Sequence, residues 1–126
     1  MSALLSLPTT ITDKIMTGLA NGETGGTFNV NGRALPTDGY FVGGVVPSLI
    51  NPTRDKIAEF VEFAPADYVG YWEDSTDFAL YVDAVTWVRT EREAERLATL
   101  RGEIAYWDIR AEDEVRVRES YEGANV

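Results

Sequence analysis

The chain contains no cysteine and no histidine. The first absence removes disulfides, thiolate nucleophiles and thiolate metal sites. The second removes the commonest general base and metal ligand near neutral pH. Basic residues are also scarce: 11 Lys and Arg face 21 Asp and Glu, for a net charge of −10. An acidic surface repels phosphate backbones, which argues against direct nucleic-acid binding. No apolar run approaches the roughly 20 residues that a transmembrane helix needs. The opening MSALLSLP lacks the basic start of a secretory signal. The expectation is a cytoplasmic protein with no membrane attachment, no cofactor and no metal.

What is present suits one globular domain. The chain has 126 residues, 44% of them hydrophobic, enough for a real core. The charge is uneven: residues 1–66 hold 6 acids and 4 bases, whereas residues 67–126 hold 15 acids and 7 bases.

The organising stretch is residues 67–109. Residues 68–72 are aromatic and β-branched, as suits a half-buried strand. Glu73 to Asp77 is turn chemistry. Residues 78–88 form a long apolar strand. Its alternation puts Phe78, Leu80, Val82, Ala84, Thr86 and Val88 on a core face and Ala79, Tyr81, Asp83, Val85 and Trp87 on the other. Thr90 and Glu93 read as a capping box opening a helix, which Gly102 ends. Residues 104–109 read as a further strand. Upstream, residues 40–46 predict the first core strand, with Gly43-Gly44 read as a bulge or bend rather than a phosphate-binding turn. Asn51-Pro52 predicts a helix start, and Ile57, Phe60, Val61 and Ala64 its buried stripe.

The order β-α-β-β-α-β predicts an α+β, ferredoxin-like domain: a four-stranded antiparallel sheet with both helices on one face. The expected divisions are an N-terminal arm (1–38), the ferredoxin-like domain (39–110) and an acidic C-terminal extension (111–126). Within the arm, residues 9–20 show helical spacing, and Asn31-Gly32 between short extended runs predicts a β-hairpin. Residues 115–118 alternate like an edge strand with charged outward positions, and the tail from Ser120 should fray.

At TGGTFNVNG, PTDGYFVGGVVPSLI, YVGYWED and RGEIAYWDI the chain resembles a family of small uncharacterised proteins of actinobacteria and actinobacteriophages. The resemblance implies a cytoplasmic protein encoded by a phage or other mobile element. It implies no catalytic residues.

The candidate site is the sheet face that the helices leave open. Tyr40, Tyr68, Trp72, Tyr81, Asp83, Trp87 and Tyr106 are its candidates, subject to register. Aromatics on this face stack bases in RNA-recognition modules, but those add Lys and Arg where this chain has acids. The face is expected to be covered by the arm, by a second subunit in a homo-oligomer such as a dimer, or by a small ligand. The second candidate is an acidic surface of Glu73, Asp74, Asp77, Glu112, Asp113 and Glu114. It reads either as solubility or as a decoy for a basic host protein. Glu73, Ser75 and Asp77 alternate like the opening of a calcium loop, but that loop's central Gly and distant Glu are missing. With no nucleophile–base pair and no oxyanion hole in view, the expectation is not an enzyme. The reading is a non-enzymatic interaction protein, a phage or mobile-element accessory factor, such as a counter-defence factor, that binds a host protein or itself. The alternatives are a small-molecule or nucleotide binder and a carboxylate-dependent enzyme.

Overall fold

The computed structural model describes residues 10–118; the apolar start before them and the tail predicted to fray after them lie outside. The elements are α1 (Ile11–Ala20), β1 (Gly25–Asn29), β2 (Tyr40–Val42), β3 (Leu49–Ile50), α2 (Arg54–Glu62), β4 (Tyr68–Glu73), β5 (Leu80–Val88), α3 (Glu91–Arg101), β6 (Ala105–Asp108) and β7 (Asp113–Arg116). The fold is α+β. One seven-stranded sheet runs β1-β4-β5-β2-β6-β7, with β3 also paired to β5. Every paired neighbour is antiparallel.

Each helix starts at a threonine. The hydroxyls of Thr10, Thr53 and Thr90 accept the N–H of Asp13, Lys56 and Glu93 at 3.0, 3.2 and 3.2 Å, satisfying one of the donors that a helix start leaves unpaired. At Thr90 the predicted box forms in altered form: the Thr90 hydroxyl also donates to Glu93 Oε1 at 2.9 Å. Gly102 closes α3 with φ of 76°, the left-handed cap that glycine adopts without penalty.

The long strand β5 holds the sheet together. Leu80 to Val85 pair with β4; on its other edge Tyr81 and Val82 pair with β3, and Thr86 to Val88 pair with β2. The predicted core face is observed from Leu80 onward, but Phe78, expected to begin it, lies before the strand with φ of 60° and is 71% exposed. Val82 packs with Ile15, Ile57, Val69 and Tyr71 under α1 and α2. Val88 packs against Val42, Ala94, Ala98 and Tyr106 under α3. The three helices among the described residues therefore cover the same face. Burying a side chain such as Ile15 or Ile57, each 0% exposed, contributes roughly 1.5–3 kcal/mol.

Four further expectations need correction. The sheet has seven strands rather than four, because β1, β3 and β7 add to it. The hairpin at Asn31-Gly32 does not form. Asn29 Oδ1 accepts the N–H of Asn31 (2.8 Å) and, at longer range, Arg33 (3.4 Å), and Gly32 N–H bonds the Asn29 carbonyl (3.0 Å). This side-chain turn releases the chain from strand geometry, so β1 pairs with β4 instead of with residues 33–35. The predicted strand 40–46 stops at Val42; one long bond joins Val45 N–H to the Ala84 carbonyl (3.4 Å), and regular pairing resumes at Leu49. Finally, Asn51 does not cap α2: it takes positive φ (49°) and its Oδ1 accepts Leu80 N–H at 2.8 Å, leaving the cap to Thr53. The predicted edge strand is present as β7, two residues earlier than expected.

Candidate binding face and the polar cluster at its centre

Registration across the sheet fixes what shares the open face. Ile50, Tyr81, Trp72 and Gly25 lie in one row. Asp83, Gly70 and Thr27 form the next, and Val85, Tyr68 and Asn29 the third. Trp87, Phe41, Trp107 and Glu114 complete the face at the other end.

Five of the seven predicted face residues are brought together here. Trp72 stacks on Tyr81 with centroids 4.5 Å apart and planes at 11°. Tyr68 tilts against Phe41 at 5.1 Å. Trp87 is tied to the end of the arm: its indole N–H donates to the Asp38 carbonyl at 2.8 Å, and Arg89 lies over its ring. Asp83 sits between the aromatic rows. Tyr40 and Tyr106 do not join them. Both point to the helical side, edge to face at 5.6 Å, and Tyr106 is in the core. Register decides this: Tyr40 opposes Val88, a helical-face residue. Burial, with nearby acids adding, raises the pKa of both phenols.

The face is exposed at its ends and closed in the middle. Ile50 is 61% exposed, Trp72 37% and Trp107 43%, whereas Phe41 and Val85 are buried. Sequence reading passed over Ile50 and Trp107 as site residues. The alternation of 104–109 could have supplied Trp107, but Ile50 stood in a predicted loop.

At the centre, the interruption between β2 and β3 creates a polar cluster. Residues 43–48 loop out opposite β5, where Asp83 is 8% exposed. Ser48 Oγ donates to Asp83 Oδ1, and the Trp72 side chain helps to stabilise the charged carboxylate. Glu103, the residue after the Gly102 cap, reaches the same gap. A Cβ on Gly43 would lie 3.2 Å from Glu103 Oε1 and 3.5 Å from Asp83 Oδ2. Gly44 has φ of 80°, and a Cβ there would meet Glu103 Oε2 at 2.9 Å. The double glycine marks the point where the chain leaves β2, and the group that its missing side chains admit is the Glu103 carboxylate. Arg101, at the end of α3, donates to the Val42 and Gly43 carbonyls (both 3.1 Å) and to Thr86 Oγ1 (2.9 Å). It therefore replaces the strand partner that the interruption removes.

Electrostatics follow from this enclosure. Burial raises the Asp83 pKa, opposed by the Ser48 hydrogen bond and the Trp72 side chain. Burial and then the Asp83 charge raise Glu103, opposed by Arg101 and Arg118. Burial lowers Arg101, opposed by Glu103. A pocket of about 250 Å³ opens beside the cluster, lined by Gly44 to Ser48, Arg101 and Glu103.

The predicted acidic residues fall into two separate groups. Glu73, Asp74 and Asp77 surround the β4–β5 turn. Asp74 Oδ1 accepts Thr76 N–H at 2.7 Å and Asp77 N–H at 3.3 Å, and the Thr76 bond leads in lowering its pKa. Asp77 Oδ1 accepts Ala79 N–H. Glu112, Asp113 and Glu114 lie at the β6–β7 connection, on the far edge of the sheet. Among the described residues, no group of three or more Asp and Glu is placed to hold a metal ion, and no helix is long and apolar enough to cross a membrane.

No family model matches the chain, and neither a curated protein nor a solved structure matches it.

Proposed function

We propose that the chain is a non-enzymatic binding protein, an accessory factor of a phage or mobile element, whose open sheet face docks a protein of the host. One observation carries the reading. The three described helices cover one face of the sheet, while the other presents Ile50, Trp72 and Trp107 at 61%, 37% and 43% exposure. Exposed apolar groups rimmed by polar residues mark interaction sites, and stacked aromatics supply rigid contact area at low entropic cost. An acid stands on this face at one end, Glu114 opposite Trp107, whereas Glu73 pairs with Leu80 on the helical side. The fitting partner has an apolar centre and Lys or Arg at the Glu114 end.

The framework we assign is ferredoxin-like. The central order β4-β5-β2-β6, with antiparallel neighbours and α2 and α3 as the two connections, supports that assignment. A binding role is favoured over catalysis because the polar groups at the centre face inward: Arg101 is spent on strand carbonyls and Ser48 on Asp83.

The test is affinity capture from host lysate with the wild-type chain and with Ile50→Glu and Trp72→Ala, each checked for folding by circular dichroism. A partner retained by the wild type and lost with both variants is the expected result. Capture insensitive to both variants, or no specific capture, would overturn the proposal.

A further inference from the structure

The two edges of the sheet are built differently. The β7 edge carries Asp113, Glu114 and Arg116 in four residues, the charged dressing that keeps an edge from pairing with another chain. The β1 edge, GGTFN, carries no charge and no proline. Among the described residues, β1 pairs only with β4.

The free groups on that edge are identifiable. Val30 N–H donates to the Asp67 carbonyl at 2.9 Å, and Glu73 N–H to the Thr24 carbonyl at 2.8 Å. Antiparallel pairs alternate between bonded and non-bonded positions, so the even-numbered residues of this strand bond β4. Gly25, Thr27 and Asn29 turn their backbone N–H and C=O groups outward. Only the Asn29 carbonyl has a further partner, the Gly32 N–H of the turn.

We propose that this edge binds the same edge of a second copy of this chain, antiparallel, with Thr27 opposite Thr27 on the two-fold axis. In that register each outward-facing residue meets another: Thr27 bonds Thr27 of the partner, and Gly25 meets Asn29 at both ends. Charge selects both the occupant and the direction. Residues 21–33 contain one acid, Glu23, and one base, Arg33, so this segment is neutral in a chain of net charge −10. Two copies therefore repel each other less along this edge than along the acidic β7 edge. Glu23 and Arg33 are both exposed and lie at opposite ends of β1. Antiparallel pairing sets Glu23 of each copy toward Arg33 of the other, whereas parallel pairing would set like charge against like. The contact is short, below the area of a permanent interface, so the dimer is reversible and concentration-dependent. The open face stays free, and the inference does not depend on what that face binds.

Sedimentation velocity over a wide concentration range tests it. The wild type should pass from monomer to dimer. Thr27→Pro removes one outward N–H while leaving the bonds to β4 in place, and should weaken the dimer at least about tenfold. Because proline could also disturb β1, a charge exchange gives an independent reading. Glu23→Arg should weaken the dimer, and Glu23→Arg combined with Arg33→Glu should restore it. A monomer at every concentration overturns the proposal. So does a dimer that survives Thr27→Pro and the single charge change; if such a dimer is instead lost with Trp72→Ala, the open face makes the contact.

Discussion

Asp83 and Glu103 converge on the backbone of Gly43, Asp83 from the open face of β5 and Glu103 from the loop after α3. Two acids with raised pKa values meet where the sheet is interrupted, and the Arg101 guanidinium beside them is committed to carbonyl oxygens.

This pair should make stability depend on pH. An acid whose folded pKa lies above its unfolded one favours the folded state at low pH, and that contribution is lost as pH rises through the folded value. Melting curves between about pH 4 and 8 should therefore show Asp83→Asn and Glu103→Gln gaining on the wild type as pH rises. Arg101, Arg118 and Ser48 face the pair and are unchanged in both variants. A difference from wild type that stays constant with pH would refute the assignment.

Arg101 serves as a strand partner. Arg101→Met keeps the apolar stem but deprives the Val42 and Gly43 carbonyls of a donor. The expected cost is about 1–3 kcal/mol, read from the midpoint of urea unfolding. Lysine should not restore it, because the guanidinium spans two carbonyls and Thr86 at once.

Gly44→Ala combines two penalties, a side chain at positive φ and a clash with Glu103. It should destabilise by about 1 kcal/mol or more. Adding Glu103→Ala should recover the clash but not the backbone strain, so a double-mutant cycle will show a favourable coupling between the two sites.

The first helix belongs to the core energetically. Ile15→Ala should cost about 2–5 kcal/mol, comparable to Ile57→Ala, whereas Met16→Ala, on the more exposed side of α1, should change little. Equal, small effects at 15 and 16 would mean that α1 contributes little to the packed unit.

Periodicity made much of this fold legible. The alternation within Leu80–Val88 assigned the faces correctly although Phe78 fell outside the strand, Thr90 and Gly102 marked both ends of α3, and Gly43-Gly44 marked the place where the strand breaks off. What escaped was what depends on distant partners. Asn31-Gly32 has the composition of a hairpin turn, but whether two runs pair depends on the edge available, and β4 offered β1 a better one. Tyr40 and Tyr106 changed face because register is set by neighbours and not by the strand itself. Glu103 and Ser48 gave no signal: one carboxylate and one hydroxyl, 55 residues apart in the chain, become relevant only because the gap between β2 and β3 brings them to Asp83.

β5 is the only strand with a bonded partner in both halves of the sheet, and it supplies Val82 to one core cluster and Val88 to the other. The opening of one half leaves this strand paired to the other. Backbone protons within β5 should thus be the slowest in the molecule to exchange with deuterium, doing so only when the whole chain opens, whereas those of β7, bonded on one side alone, exchange through local fraying.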